Sequence, residues 1–188
     1  ELWSLGAFRA LIIVSALVYG SHAVHDAFSV IRWQHAGMSA SAAGLLWSEA
    51  VTAEVLVFIF LGGRLIDRLG THGAATIAAA AGILRWCVAA VTTEPDALAL
   101  VQPLHGLTFA LLHLACMRLL ARAVPDELAA TAQAIYGTVG VGAATAALTL
   151  ISGFLYARTG AAAFAVMSAV CLAALPIARS LRSATHPL

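Results

Sequence analysis

Residues 63–70 read Gly63-Arg64-Leu65-Ile66-Asp67-Arg68-Leu69-Gly70, a charged octet between an apolar stretch of about residues 42–61 and another that begins near residue 74. The octet is too short to be a domain, and its charges are too costly for hydrocarbon. It reads as a tight surface loop, 63–73, joining two membrane-spanning helices.

Composition extends that reading to the whole chain. Of 188 residues 62% are hydrophobic and 10% charged, with a mean hydropathy of +0.94. A soluble domain carries about 25% charge, and long apolar runs mean transmembrane helices. Residues 1–188 therefore form a single transmembrane domain with membrane lipid as its first partner. The net charge of +1 excludes a nucleic-acid partner, which needs a basic stripe. There is no Gly-x-Ser-x-Gly, no His-Glu-x-x-His and no phosphate loop, so neither an enzyme, ATP coupling nor a cofactor is indicated. Cys87, Cys116 and Cys171 lie in apolar runs without CxxC spacing, which predicts buried, reduced thiols and no metal site. The chain opens at Glu1 without a basic n-region. The first apolar run is thus expected to be a span and not a signal peptide, and the chain a piece of something longer.

Six segments are long enough to span, roughly 7–34, 41–67, 73–93, 96–123, 127–157 and 161–180. Their breaks have local causes. Gly37 offers a stop and Ser39 or Ser41 an N-cap. Thr93-Glu94-Pro95-Asp96 and Pro125-Asp126-Glu127 combine proline with acidic starts, and Arg158-Thr159-Gly160 ends the fifth segment. With no lysine in the chain, orientation follows from arginine. Arg9, Arg64, Arg68, Arg118, Arg122, Arg179 and Arg182 fall on one side, against Arg32 and Arg158 on the other. The positive-inside rule makes the first side, with both termini, cytoplasmic. The expected location is a multi-pass protein of the inner (cytoplasmic) membrane.

Charges inside hydrocarbon need a reason. Glu54 lies roughly 18 Å below the outer end of the second segment, and Arg85 at matching depth on the third. Opposite charges at one depth are expected to pair, either as a functional carboxylate and its cation or as a permanent packing pair. In the first segment His22 and Asp26 stand at i,i+4 on one face, with His25 rotated away. They could relay a proton, bind a polar substrate group, or simply bond each other. Pro103 should free the carbonyl of Ala99 and kink the fourth segment beside His105, whereas His113 reads as a core histidine. Glu49 lies off the face of Glu54. Gly137, Gly140, Gly142 and Gly153 suggest tight packing, and Trp33, Trp47 and Tyr156 an interfacial aromatic belt. Asp67, at a helix C-terminus, wants a cation: Arg68 or a neighbouring helix N-terminus.

Two other classes are conceivable from the residues. The His22-x-x-x-Asp26 spacing suggests a six-helix divalent-cation exporter, and His22, His105 and His113 suggest a haem-binding membrane cytochrome. The exporter lacks a second His/Asp pair at matching depth, and His105 and His113 share one helix, which prevents them from sandwiching a haem.

The octet resembles the loop motif of the major facilitator superfamily, although Thr71-His72 replaces the usual basic pair. Further stretches are similar to the C-terminal half of the phenylpropionate/proton symporter group, itself akin to oligosaccharide and nucleoside symporters. They are Tyr19-Gly20-Ser21-His22, Trp33-Gln34, Gly44-Leu45-Leu46-Trp47, Ala53-Glu54-Val55, Arg85-Trp86 and Gln102-Pro103-Leu104-His105-Gly106-Leu107-Thr108-Phe109. The resemblance implies an all-α membrane fold with six helices as two nested inverted three-helix repeats, forming one half of a carrier. It implies Glu54, Arg85 and His105 as the polar centre, and Gly63, Arg64, Asp67, Arg68 and Gly70 as a gating latch. The implied partners are a proton, a small organic solute, and a missing N-terminal six-helix half or a second copy. Transport would run by alternating access, with Asp67 paired across to the other half. His25 and Asp26 stand where that group has aromatic residues, so aromatic acid, sugar and nucleoside all stay open as substrates.

Overall fold

The computed structural model describes residues 1–181, so Arg182 lies outside the described residues. All regular structure among them is helical. Five helices are long and apolar enough to cross a membrane: α1 (Gly6–His35), α2 (Ala40–Val91), α3 (Pro95–Ala123), α4 (Asp126–Thr159) and α5 (Ala162–Ser180).

The breaks arise where local chemistry forces them. Gly37 takes φ 92°, and the Ser39 hydroxyl accepts from the Ala42 N–H at 3.2 Å, stopping α1 and capping α2. Pro95 occupies the first turn of α3, where its missing N–H costs nothing. Gly160 ends α4 at φ 56°, a conformation that other residues rarely adopt. Arg32 donates to the carbonyls of Ala89 and Ala90 at the end of α2, neutralising that helix terminus.

Residues 63–69 continue the helix, and Gly70, at φ 69° and ψ 173°, leaves the helical region and divides α2 into two helices that meet at a kink, so the expected second and third segments are joined at Gly70 and not through a loop spanning 63–73. Gly70 is the one place in α2 where the chain needs a positive φ. The cation for Asp67 is neither Arg68 nor a distant helix end but Arg118, near the inner end of α3.

α1 is the central element: 67% of its apolar window is buried, against 11% for α4. Phe8, Leu11, Val14 and Val18 of α1 meet Ala75 and Ala78 of α2, Leu112 and Leu119 of α3 and Ala174 and Ala178 of α5 in the main core. The alanines let α2 and α5 approach closely, the usual device where lipid supplies no hydrophobic drive between helices. Three expectations fail here. Gly137 and Gly153 meet no neighbouring atom, so tight packing on α4 belongs to Gly140 against Ile12 and Ser15. Trp33 is buried at 2% exposure instead of sitting in a belt. Cys87 is exposed, unlike Cys116 and Cys171.

Candidate functional site

Two irregular turns in α3 set the site. The helix tightens into a 3-10 turn at Gln102–Leu104, where Pro103 interrupts it, and widens into a π turn at Leu107–Leu111. A matching π turn, Val57–Leu61, follows Glu54 in α2. Between these turns the two helices touch through their backbones. A Cβ on Gly106 would lie 2.6 Å from the carbonyl oxygen of Ala53. The neighbours of those residues are His105 and Glu54, and the absent side chain is what lets them meet.

Glu54 and Arg85 do not pair directly. His105 stands between them, its Nε2 3.2 Å from Glu54 Oε2 and its Nδ1 3.3 Å from Arg85 Nη1. The same guanidinium nitrogen lies 3.2 Å from His22 Nε2 and 3.1 Å from Thr108 Oγ1. Arginine only donates, so His105 Nδ1 and His22 Nε2 are acceptors here. His105 therefore donates from Nε2 to Glu54, and His22 from Nδ1 to the Val18 carbonyl at 3.0 Å. One hydrogen-bonded series, Glu54–His105–Arg85–His22, thus links α2, α3 and α1.

Arg85 is 1% exposed and, among the described residues, pairs with no carboxylate. Its second nitrogen donates to Gln102 Oε1 at 3.2 Å, its guanidinium lies 4.6 Å from the Trp86 ring centre, and its Nε has no partner. Neutral acceptors and an aromatic face hold a buried charge less firmly than a carboxylate would. The guanidinium thus keeps strong demand for an anionic or accepting group near His105.

His22 and Asp26 do not bond each other. The Asp26 carboxylate takes Nδ1 of His25 at 3.2 Å. His25, expected to point away, is buried among the rings of Trp33, Trp47 and Trp86 at 5.9, 5.0 and 5.4 Å. The backbone keeps the two predicted partners one turn apart, the Asp26 N–H bonding the His22 carbonyl at 2.9 Å, but the His22 ring turns to the Val18 carbonyl, Thr108 and Arg85. The Val18 carbonyl accepts from Ser21 Oγ at 2.7 Å as well as from His22.

His22, Asp26 and His105 nonetheless share one cavity of about 420 Å³, with Tyr19 and Phe109 beside them and Val141, Gly142, Thr145 and Ala146 of α4 opposite. The α4 wall runs through a third π turn, Tyr136–Ala143. Sequence reasoning missed Tyr19, Thr108, His25 and Tyr136 as site residues. Tyr136 bonds both His113, at 3.1 Å, and Tyr19, at 3.3 Å, giving His113 a polar partner inside the core. The usable signal was the cost of each polar group in an apolar run, the test that selected Glu54 and Arg85. Of the octet, Asp67 is fixed by Arg118 and Arg64 donates to the Phe60 carbonyl at 3.3 Å. Among the described residues neither shares a hydrogen bond with the Glu54–His22 series. Among the described residues no three His, Cys, Asp or Glu side chains converge as a metal site.

An all-helical, apolar fold with a buried polar series beside a cavity fits a membrane solute carrier. Residues 6–166 match the model of the MFS_1 like family, and the chain belongs to that family of major facilitator transporters, which are not enzymes. It is 42% identical over 159 residues to the "Probable 3-phenylpropionic acid transporter" of Escherichia coli (strain K12), covering 85% of this chain and 41% of that protein. It is 24% identical over 164 residues to the "Maltose permease" of Geobacillus stearothermophilus, covering 87% of this chain and 41% of that protein. The chain thus spans about two fifths of the length of the curated relatives it matches. No solved structure matches it. Family membership supersedes the cation-exporter and cytochrome readings.

Proposed function

We propose that this chain is one six-helix half of a proton-coupled secondary transporter of small organic solutes, working by alternating access in the inner (cytoplasmic) membrane. The observation that carries the reading is the series Glu54–His105–Arg85–His22 beside the 420 Å³ cavity. It joins a carboxylate to a cation through a histidine that can accept and release protons. Helix α2 would cross twice. Its 52 residues amount to about 78 Å of helix, more than twice a hydrocarbon core of about 30 Å. Gly70, with its non-helical φ and ψ, supplies a place to turn. Six crossings, arginine-rich ends on the cytoplasmic side and two inverted three-helix repeats follow in this reading. The rest of the carrier would be a second six-helix half, in the same polypeptide or a partner copy.

In the cycle, a proton on Glu54 removes the charge to which His105 donates and weakens that bond. His105 can then turn towards the cavity, and Arg85, relieved of one acceptor, becomes available to a polar or anionic group of the substrate. Proton and substrate occupancy thereby bias the same two-state equilibrium between halves. Asp67–Arg118 would act as a latch on the cytoplasmic side. Aromatic acid and sugar, the substrates in the relatives' names, and nucleoside are the candidate classes. Glu54→Gln fixes the protonated state, so it should abolish accumulation driven by a proton gradient yet retain substrate exchange across proteoliposome membranes. Undiminished gradient-driven accumulation by this variant would remove Glu54 from the mechanism.

A further inference from the structure

The cavity contains a group that an aromatic monocarboxylate would not explain. Asp26 faces it with its side chain 50% exposed, yet it is not a loose surface acid. One carboxylate oxygen is held by His25 Nδ1 at 3.2 Å. His25 is itself clamped by the indoles of Trp33, Trp47 and Trp86 and is 4% exposed. The buried imidazole thus fixes the first oxygen, and the second Asp26 oxygen has no hydrogen-bond partner among the described residues. Across the same cavity stand the rings of Tyr19 and Phe109, edge to face with centres 5.2 Å apart, a wall against which a flat ring can lie.

We infer that Asp26 is a substrate-binding residue, positioned by His25, that accepts a hydrogen bond from a hydroxyl on a ring compound lying against Tyr19 and Phe109. The inference rests on the transport reading above and narrows its substrate class to hydroxyl-bearing rings, whether hydroxylated aromatics or sugars. A second carboxylate brought close to Asp26 would be repelled, so a carboxylate on the substrate must lie at the other end, towards His105 and Arg85. A neutral donor suits Asp26, because His25 already occupies its other oxygen. A site built around such an acceptor discriminates against analogues that lack the donor, since its carboxylate is then desolvated without return.

The test uses the intact protein in proteoliposomes under an imposed proton gradient. The probes are 3-phenylpropionate, 3-(3-hydroxyphenyl)propionate and maltose, and the proteins are wild type, Asp26→Asn and Asp26→Ala. Wild type is expected to favour one hydroxylated probe over 3-phenylpropionate by about tenfold or more in kcat/KM. Which probe it favours tells a hydroxylated aromatic from a sugar. Both variants should lower that preferred uptake about 10- to 100-fold, the range for a hydrogen bond to a charged group, and lower 3-phenylpropionate uptake by less, so that the preference for the hydroxylated probe collapses. Quenching of tryptophan fluorescence by the hydroxylated probe should weaken in parallel, which separates lost binding from lost folding. Equal losses for all three probes, or preference for 3-phenylpropionate by wild type, would overturn the inference and leave the transport reading standing. Gradient-dependent uptake of none of the probes by wild type would overturn both.

Discussion

Replacing Gly106 by alanine should disconnect the polar series without touching a member of it. The new methyl would sit 2.6 Å from the Ala53 carbonyl oxygen, 2.9 Å from its carbon and 2.8 Å from Val57 Cγ2. Two of those atoms are backbone and cannot rotate away. Restoring ordinary contact requires α2 and α3 to separate by about 0.8 Å. The Glu54–His105 bond, 3.2 Å long, would stretch to about 4 Å, beyond hydrogen-bonding range. Overpacking of this kind costs about 1–3 kcal/mol of stability. Loss of a bond to a charged group is worth about 1.5–3 kcal/mol, or roughly 10- to 100-fold in coupled transport. Gradient-driven uptake and thermal stability of the purified protein in proteoliposomes measure the two effects. Gly44→Ala is the control, since its methyl meets nothing within 4 Å and both properties should be retained. Adding Val57→Ala to Gly106→Ala should not restore coupling, because it leaves the backbone clash in place. Wild-type uptake and stability in Gly106→Ala would show that the helices are not held at this crossing, and the geometry proposed for Glu54 and His105 would fall with it.

Arg85→Lys should behave as a severe change despite retaining charge. Lysine cannot reach His22, His105, Thr108 and Gln102 from two nitrogens in one plane, so coupled uptake should fall by about tenfold or more while the protein still inserts. Arginine-like uptake by this variant would leave only charge, not the planar fork, in the role. At the α2–α5 contact a methyl on Gly82 would come within 2.6 Å of Cys171 Sγ. Gly82→Ala should cost about 1–3 kcal/mol in thermal stability, and Cys171→Ala in the same protein should recover most of it. Absence of that rescue would mean the contact is not the source of strain.

Much of the fold was legible because hydropathy and helix breaks are local properties. Gly37, Ser39, Pro95, Pro103 and Gly160 each act through their own φ, their own missing N–H or their own hydroxyl. Glu54, Arg85 and His105 could be selected for a similar reason, since each is conspicuous in an apolar run. The octet misled only in the length of the turn: residues 63–69 continue the helix, and the break between the two helices of α2 is confined to Gly70.

The partnerships were not legible. A π turn adds a residue to one turn and rotates all that follows by about 100°, so the faces of α2, α3 and α4 beyond residues 57, 107 and 136 cannot be projected from a regular wheel. Nor does a wheel show that Asp26 bonds His25 while the His22 ring turns to Val18, Thr108 and Arg85. The sequence by itself determined that this is an apolar membrane helix assembly with a few polar groups inside it, because the cost of polar atoms in hydrocarbon is paid residue by residue. Only the tertiary structure decided that His105 stands between Glu54 and Arg85 and that Arg118 reaches Asp67. Those pairings depend on how helices rotate and how closely their backbones approach, and one missing methyl, at Gly106, sets that approach.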